Sequence, residues 1–391
     1  MVSLARKNLF QDLPRFMVAQ AGIMFAVGLV TIQTGLLDGF TRSSSLVIDN
    51  SKADIWVASK DMRHLDLTLP ISYARVTEAR KVAGVDRAEA LITRSSVWRH
   101  ASDQIAPIRV IGFDPSGQLF IPWKLKQGNI NDLKQSYTVI LDQSDLNALD
   151  VKGVGNVAEI GSFRAKIVGL TQGIRSIVSS PFVFTSLPNA TAYLNSPIAS
   201  PIANPPVPPS LTARSEISYV LVRAKPGQDL QELKRRLETA LPDTRALTRT
   251  EMSDLTQTYW RQSTGVGFIL GLGAVVGVVV GTVVVGQILY SSVSDHLREF
   301  GTLKAMGSSD WFIYGVIIEQ ALWMAILGYF PGMALCLGLG AWTMQARAIQ
   351  ILISPTTAVG VFGITILMCV GAAVFAIQKV TYLDPATVFK S

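Results

Sequence analysis

Cysteine, histidine and charge are all scarce in this chain. Its 391 residues include two cysteines and three histidines, and only 16% are charged. Both thiols, Cys336 and Cys369, lie inside apolar runs, where they read as packing residues. The polar part of the chain therefore folds without disulfides and needs a hydrophobic core of its own. His64, His100 and His296 are scattered with no metal-ligand spacing, which argues against a zinc site, and no cofactor is expected. No G-x-x-x-x-G-K-[ST] run occurs, so a phosphate-cradling loop of that type is missing. No nucleophile–base–acid constellation stands out, which leaves an enzymatic reading the weakest. The formal charge of +7 comes without a dense Lys/Arg tract or an RNA-binding aromatic signature, so no nucleic acid is expected as partner. Membrane lipid with an anionic surface, together with a bias among the loops, accounts for the basicity.

Apolar sequence is what the chain has in abundance, at 49% of residues. It is concentrated in four runs, 17–37, 265–290, 312–339 and 357–377. Each holds roughly 20 residues or more, enough at about 1.5 Å per residue to cross a hydrocarbon core of about 30 Å. Lipid cannot satisfy free backbone N–H and C=O groups, so these runs must be helical. The expected fold class is an α-helical membrane protein with four transmembrane helices, laid out one plus three. A large mixed α+β extracytoplasmic domain of two subdomains separates spans one and two. Residues 1–16 read as a cytoplasmic amphipathic helix, with Leu4, Leu9 and Leu13 toward lipid and Arg6, Lys7 and Arg15 toward headgroups. The remaining partition is 38–264 for the domain, 291–311 for a cytoplasmic loop, 340–356 for a short outer loop and 378–391 for a cytoplasmic tail.

Orientation follows from the short flanks. Arg6, Lys7 and Arg15 precede span one, Arg298 and Lys304 lie between spans two and three, and Lys379 and Lys390 follow span four. The loop after span three holds only Arg347. This bias places both termini and the 291–311 loop in the cytoplasm, in the inner (plasma) membrane of the cell. Span one reads as an uncleaved anchor, because its apolar run is too long for a signal peptide and no small-x-small pattern follows it.

Within the domain, β-branched and apolar content predicts strands at 54–58 and 105–113, with a helix at 73–82 and strand-rich hairpin material at 86–99. A middle block follows: a strand at 137–141, a hairpin of 156–160 and 165–170 around Gly161–Ser162, and a short helix introduced by Ser186 and Pro188. Residues 196–210, with Pro205–Pro206 and Pro208–Pro209, read as an extended connector. A strand at 217–223, a charged helix at 228–240, a strand at 244–247 and a polar helix at 250–261 complete the domain. The strand–helix–strand order before and after the middle block predicts a split subdomain, 38–114 with 211–264, into which 115–210 is inserted.

The sharpest local signal is the loop Ser294-Asp295-His296-Leu297-Arg298-Glu299-Phe300-Gly301-Thr302-Leu303-Lys304-Ala305-Met306-Gly307. Leu297, Phe300, Leu303 and Lys304 fall on neighbouring helical turns. They would form an apolar ridge, flanked by charge, for a cytosolic groove. An ordinary solvated connector is the blander alternative. The run Glu299–Gly307, with the one-plus-three layout, resembles the coupling loop of FtsX/MacB-type ABC transporter permeases. The resemblance covers the whole chain and is strongest over about 294–332. The Arg6-Lys7-Asn8-Leu9 start, the Asp384-Pro385-Ala386 tail and the size of the domain resemble the cyanobacterial DevC-like subgroup. The resemblance implies a non-catalytic permease half with a MacB-like periplasmic domain, and assigns ATPase coupling to Leu297, Arg298, Glu299, Phe300, Gly301, Leu303, Lys304 and Gly307. Only about 16 residues precede span one and no P-loop occurs, so the ABC ATPase is expected on a separate chain.

Two features of the spans bear on assembly. Gly267, Gly271, Gly273, Gly277 and Gly281 line span two, with three G-x-x-x-G spacings that let helix backbones approach closely. The resemblance assigns this stripe to the seam with a second permease copy, a homodimer or a heterodimer with a near copy. Glu319 lies within span three beside Gln320, where an ionisable group is costly and suggests a transmembrane polar role, either proton coupling or hydrogen-bonded packing. Pro331-Gly332 is expected to kink the same helix.

The resemblance implies the permease of a tripartite exporter. Its ATPase partner would transmit motion through the spans to the periplasmic domain. Substrate, glycolipid in the DevC-like subgroup, would pass to a periplasmic membrane-fusion adaptor and on to a TolC-like outer-membrane channel. An FtsX-like regulator of cell-wall hydrolases and a lipoprotein-releasing permease are the alternatives. The first usually has a smaller outer domain.

Overall fold

A computed structural model describes residues 13–100, 104–174, 179–197, 202–306, 308–347 and 351–381. The expected amphipathic helix at 1–16 and tail at 378–391 therefore lie mostly outside the described residues, as does Gly307. The chain divides into two compact units, 1–39 with 265–391, and Phe40–Thr264.

The first unit is a helical bundle. Among the described residues, four helices are long and apolar enough to cross a membrane. They are Leu13–Ser44, Gly265–Asp295, Asp310–Arg347 and Pro355–Thr381, referred to below as spans one to four. Each outruns the apolar stretch visible in the sequence, because polar residues at a membrane surface can extend a helix that lipid has already enforced. Pro331 sits inside span three without ending it. The core of the bundle holds Ile23, Val27 and Val30 of span one, Val285 and Leu289 of span two, Ile317, Met324 and Tyr329 of span three, and Met368, Cys369 and Ala372 of span four. Polar contacts pin both ends. Arg15 pairs with Asp295, joining the start of span one to the end of span two. At the opposite end the Thr357 hydroxyl donates to Asp38 Oδ2 at 3.2 Å, and the Leu352 N–H donates to the Gly35 carbonyl at 3.1 Å. Tyr329 ties spans three and four, donating from its hydroxyl to the Ala358 carbonyl at 2.8 Å.

The second unit is a mixed α/β domain. One sheet runs in the order Thr244–Thr248, Ile55–Ser59, Tyr219–Ala224, Val85–Arg99, Ile105–Phe113, Phe182–Ser186, Thr138–Asp142, Phe163–Thr171 and Leu125–Gln127. Helices Ala74–Lys81, Leu187–Leu194 and Leu230–Ala240 bring Val76, Ala190, Leu233 and Leu237 into the core on one face. Trp56, Phe113, Phe120, Phe184 and Tyr219 fill the core on the other. Val85–Arg99 is one long strand, paired with Ile105–Phe113 from Ile92–Gly112 to Arg99–Ile105. Gly161, at φ +60°, closes the hairpin between Val157–Ile160 and Phe163–Thr171, a backbone conformation that only glycine adopts without cost.

The two sequence blocks of this domain share their sheet. Phe182–Ser186, a strand the sequence reading misses, lies parallel to Ile105–Phe113 over Arg109–Phe182 to Phe113–Ser186. It also pairs antiparallel with Thr138–Asp142. Trp98, fully buried, donates from Nε1 to the Leu149 carbonyl at 3.1 Å across the same junction. The middle block thus continues the ladder of the split block. Excising 115–210 would strip Ile105–Phe113 of its neighbour and uncover Ile108, Val110 and Ile111.

A buried histidine should make the stability of the domain depend on pH. His64 is 6% exposed and stacks on Tyr259 at 4.1 Å between ring centroids. Its Nδ1 accepts from the Asp66 N–H at 3.3 Å. Burial pushes its pKa below 6.5, Asp66 opposes the shift and Arg109 adds to it. The folded state therefore prefers the neutral ring, and the unfolded chain takes up the proton first. Stability from this group is complete above about pH 6.5 and is lost progressively as pH falls below it. The thermal midpoint of the full chain should drop between pH 7 and pH 5, and His64→Phe should flatten that drop. An unchanged pH profile in the variant would assign the drop to other groups.

Candidate functional site

The residues between spans two and three form a short helix, Leu297–Ala305, entered at His296. His296 bonds through Nδ1 to the Ser292 carbonyl at 2.9 Å, which links the helix to the end of span two. Phe300 is 2% exposed and belongs to the bundle core, and Leu303 packs half-buried against that core. Gly301 is buried as well. Lys304 turns back to Asp310 at the start of span three, with Nζ 3.0 Å from Oδ1. Two residues of the expected ridge, Phe300 and Leu303, thus face the bundle, and the Leu297 side chain lies outside the described residues. Phe300 and Leu303 anchor the helix to its own bundle, because an aromatic ring gains more by filling a core than by facing water. Among the described side chains, the outward face holds Arg298, Glu299, Thr302 and Met306, at helical spacings of three and four. Met306 is 71% exposed and Trp311, just beyond, is 82% exposed. The sequence reading assigned neither. The only available signal is spacing, with Met306 four positions after Thr302.

The glycine stripe of span two also faces inward. A Cβ on Gly277 would meet Leu29 Cδ2 at 2.8 Å, and one on Gly281 would meet Ala26 Cβ at 2.6 Å and the Met368 sulfur. A Cβ on Gly273 would meet Gln33 at 2.6 Å. These three glycines pack on span one of the same chain, with span four closing over Gly281. A Cβ on Gly271 meets nothing, and Gly267 is half-buried. Span three repeats the device at Gly328 and Gly332, whose added Cβ atoms would meet Ile23 at 2.6 Å and Val27 at 3.2 Å. Span one is therefore gripped through glycine on two sides. The uncovered face of span two carries Phe268, Ile269, Leu272, Val275, Val276, Val279 and Val283. In span three it is Gln320 that is buried, at 2% exposure, whereas Glu319 is half-exposed.

Comparison with known proteins places this architecture. The MacB-like periplasmic core domain matches residues 16–240, more than half of the chain. The chain belongs to this MacB-like family. An FtsX-like permease C-terminal region matches residues 271–385, which takes in the Leu297–Ala305 helix. A probable export ATP-binding/permease protein of Pseudomonas fluorescens is 23% identical over 64% of this chain and 38% of its own length. A probable export ATP-binding/permease protein MacB of Pseudomonas entomophila is 24% identical over 69% of this chain and 40% of its own. A macrolide export ATP-binding/permease protein MacB 1 of Yersinia pestis is 26% identical over 53% and 31%. The MacB-like chain thus spans well under half the length of these curated relatives. The periplasmic region of MacB from Actinobacillus actinomycetemcomitans matches over 56% of this chain and 97% of its own, at 13% identity and a TM-score of 0.36.

Proposed function

We propose that the protein is the permease of a MacB-type ABC exporter, driven by an ATPase on a separate polypeptide. The observation that carries this reading is the Leu297–Ala305 helix. Its inner side is locked into the bundle by Phe300, and its outer side offers Arg298, Glu299, Thr302 and Met306 to a partner. A push on that face would be passed to spans two and three rather than absorbed by a loose loop. The Arg15–Asp295 pair sets the start of span one at the same end of the bundle, in keeping with a cytoplasmic N-terminus. Reconstitution tests the reading: the chain alone should hydrolyse no ATP, and a candidate ATPase should be stimulated by it in proteoliposomes. In intact spheroplasts an impermeant thiol reagent should label Asn131→Cys and leave Thr302→Cys unlabelled. The reverse pattern would invert the topology.

The Phe40–Thr264 domain would then lie in the periplasm, as the platform for a membrane-fusion adaptor that leads to an outer-membrane channel. The middle block is the part of the sheet most remote in sequence from both spans, and exposes Val154, Val157, Ile202 and Val207. Its Pro-rich edge is partly fixed, since the Tyr137 hydroxyl donates to the Pro206 carbonyl at 2.7 Å. Val154→Asp with Val207→Asp should weaken adaptor capture about tenfold without changing the thermal midpoint. Undiminished capture would move the docking surface elsewhere. Glycolipid as cargo, in the manner of a DevC-like exporter, and a second copy as dimer partner complete the proposal.

A further inference from the structure

The α/β domain holds a cleft of about 550 Å³ whose lining has no part in the reading above. Its size falls among small-molecule sites. Arg63 and Arg245 line it, together with Tyr259, Gln262, Leu67 and Leu255. No carboxylate is among the lining residues, and among the described residues neither arginine forms an ion pair. Of the acids close by in sequence, Asp66 is already held by Arg109 at 3.3 Å, both side chains being about nine-tenths buried, Asp243 pairs with Arg75 at 2.7 Å, and Asp61 does not line the cleft. Like charges brought to one cleft without counter-charge repel, and an anion relieves that cost.

The cleft is also preformed. The Arg63 N–H donates to the Leu67 carbonyl at 2.9 Å and the Leu67 N–H to the His64 carbonyl at 3.0 Å, so the loop bearing Arg63 is a closed turn. Tyr219 fixes it from below, donating from its hydroxyl to the Leu65 carbonyl at 2.7 Å. Arg245 stands on the edge strand Thr244–Thr248, held by its register with Ala58. Tyr259 is set in place by its stack on His64, and Gln262 ends the helix Arg249–Gln262. The last lining residue, Ser263, is two positions from Gly265, the first residue of span two. Leu67 and its neighbour Leu69 are 54% and 55% exposed, an apolar rim beside two guanidinium groups.

We infer that this cleft binds the anionic headgroup of a membrane amphiphile, with Arg63 and Arg245 on a phosphate or carboxylate and Leu67 and Leu255 against the first part of its tail. Guanidinium forks match such oxyanions bidentately. The cleft's last lining residue is followed two positions later in sequence by an apolar span, and its apolar rim suits a ligand with a tail, so a membrane amphiphile is the proposed occupant. Binding here is independent of ATPase docking, so its failure would leave the exporter reading untouched.

The test uses the full chain in phosphatidylcholine nanodiscs and titrates dioctanoyl phosphatidylglycerol. Dioctanoyl phosphatidylcholine and inorganic phosphate are the comparison ligands. The phosphatidylglycerol should bind at least tenfold more tightly than either. Arg63→Ala with Arg245→Ala should lower its affinity tenfold or more, whereas Arg235→Ala, an exposed charge on a different helix, should leave it unchanged. Thr258→Trp, an exposed lining position, should block binding sterically with both arginines in place. Equal binding of phosphatidylcholine would overturn the headgroup assignment. Phosphate competing as well as the lipid would reduce the cleft to an inorganic anion site and overturn the amphiphile. Unchanged affinity in both the double arginine variant and Thr258→Trp, with folding intact, would remove the cleft altogether.

Discussion

Met306→Asp combined with Glu299→Lys should lower partner-stimulated ATP hydrolysis at least tenfold and leave the thermal midpoint of the permease unchanged. Both side chains are exposed on the outer face of the Leu297–Ala305 helix, so neither change disturbs the bundle. Truncating a well-placed interface anchor costs about 2 kcal/mol, roughly thirtyfold in affinity, and a charge in its place adds a desolvation penalty. Phe300→Ala should behave in the opposite way. At 2% exposure its ring fills the bundle core, and its loss should cost about 3 kcal/mol through the cavity left behind. Coupling should then fail because the helix no longer holds its place, with a lowered midpoint as the distinguishing sign. Leu303→Asp belongs with Phe300→Ala, since Leu303 packs on that same core. Unimpaired ATPase stimulation by the Met306/Glu299 double variant would place the docking surface off this helix.

The same helix marks where sequence reading stops. Local rules carried far in the α/β domain. The strand at Ile105–Phe113 has the bounds its apolar content predicts. Helix Leu187–Leu194 starts where Ser186 can accept from the Asn189 N–H, as the Ser-x-Pro spacing suggests. Helix Arg249–Gln262 closes its first turn with a capping box of Thr248 and Glu251. Burial alone would raise the Glu251 carboxyl, but Lys234, the Thr248 N–H and Gln231 bring it down to about 2. Phe182–Ser186 escaped notice because a short apolar run after Pro181 has no readable period, and its pairing with Ile105–Phe113 joins segments far apart in the chain. The spans were legible for a different reason, since lipid leaves the backbone one solution. Direction was not legible. Spacing reveals that Phe300 and Leu303, or Gly277 and Gly281, share a face, but the partner of that face is decided by packing no single segment encodes.

Gly281→Leu should be the most damaging of the substitutions at Gly271, Gly277 and Gly281 in span two, more so than Gly277→Leu, with Gly271→Leu nearly silent. A Cβ on Gly281 would stand 2.6 Å from Ala26 Cβ, which is fixed to the backbone of span one and cannot yield. On Gly277 the first contact is the mobile end of Leu29, at 2.8 Å, and on Gly271 there is none. Overpacking a fitted contact typically costs 1–3 kcal/mol, about the size of effect expected for Gly281→Leu. The measurable order is thermal midpoint and membrane yield, lowest for Gly281→Leu. This ranking moves the proposed dimer seam. With Gly273, Gly277 and Gly281 occupied by span one, a second copy would meet the valine face, where Val276, Val279 and Val283 are 49%, 54% and 61% exposed. Paired cysteines at Val276 and Val279 should cross-link between copies in membranes, and cysteine at Gly277 should not. Efficient cross-linking at Gly277 between two copies would return the glycines to the seam, and would require span one to leave them on assembly.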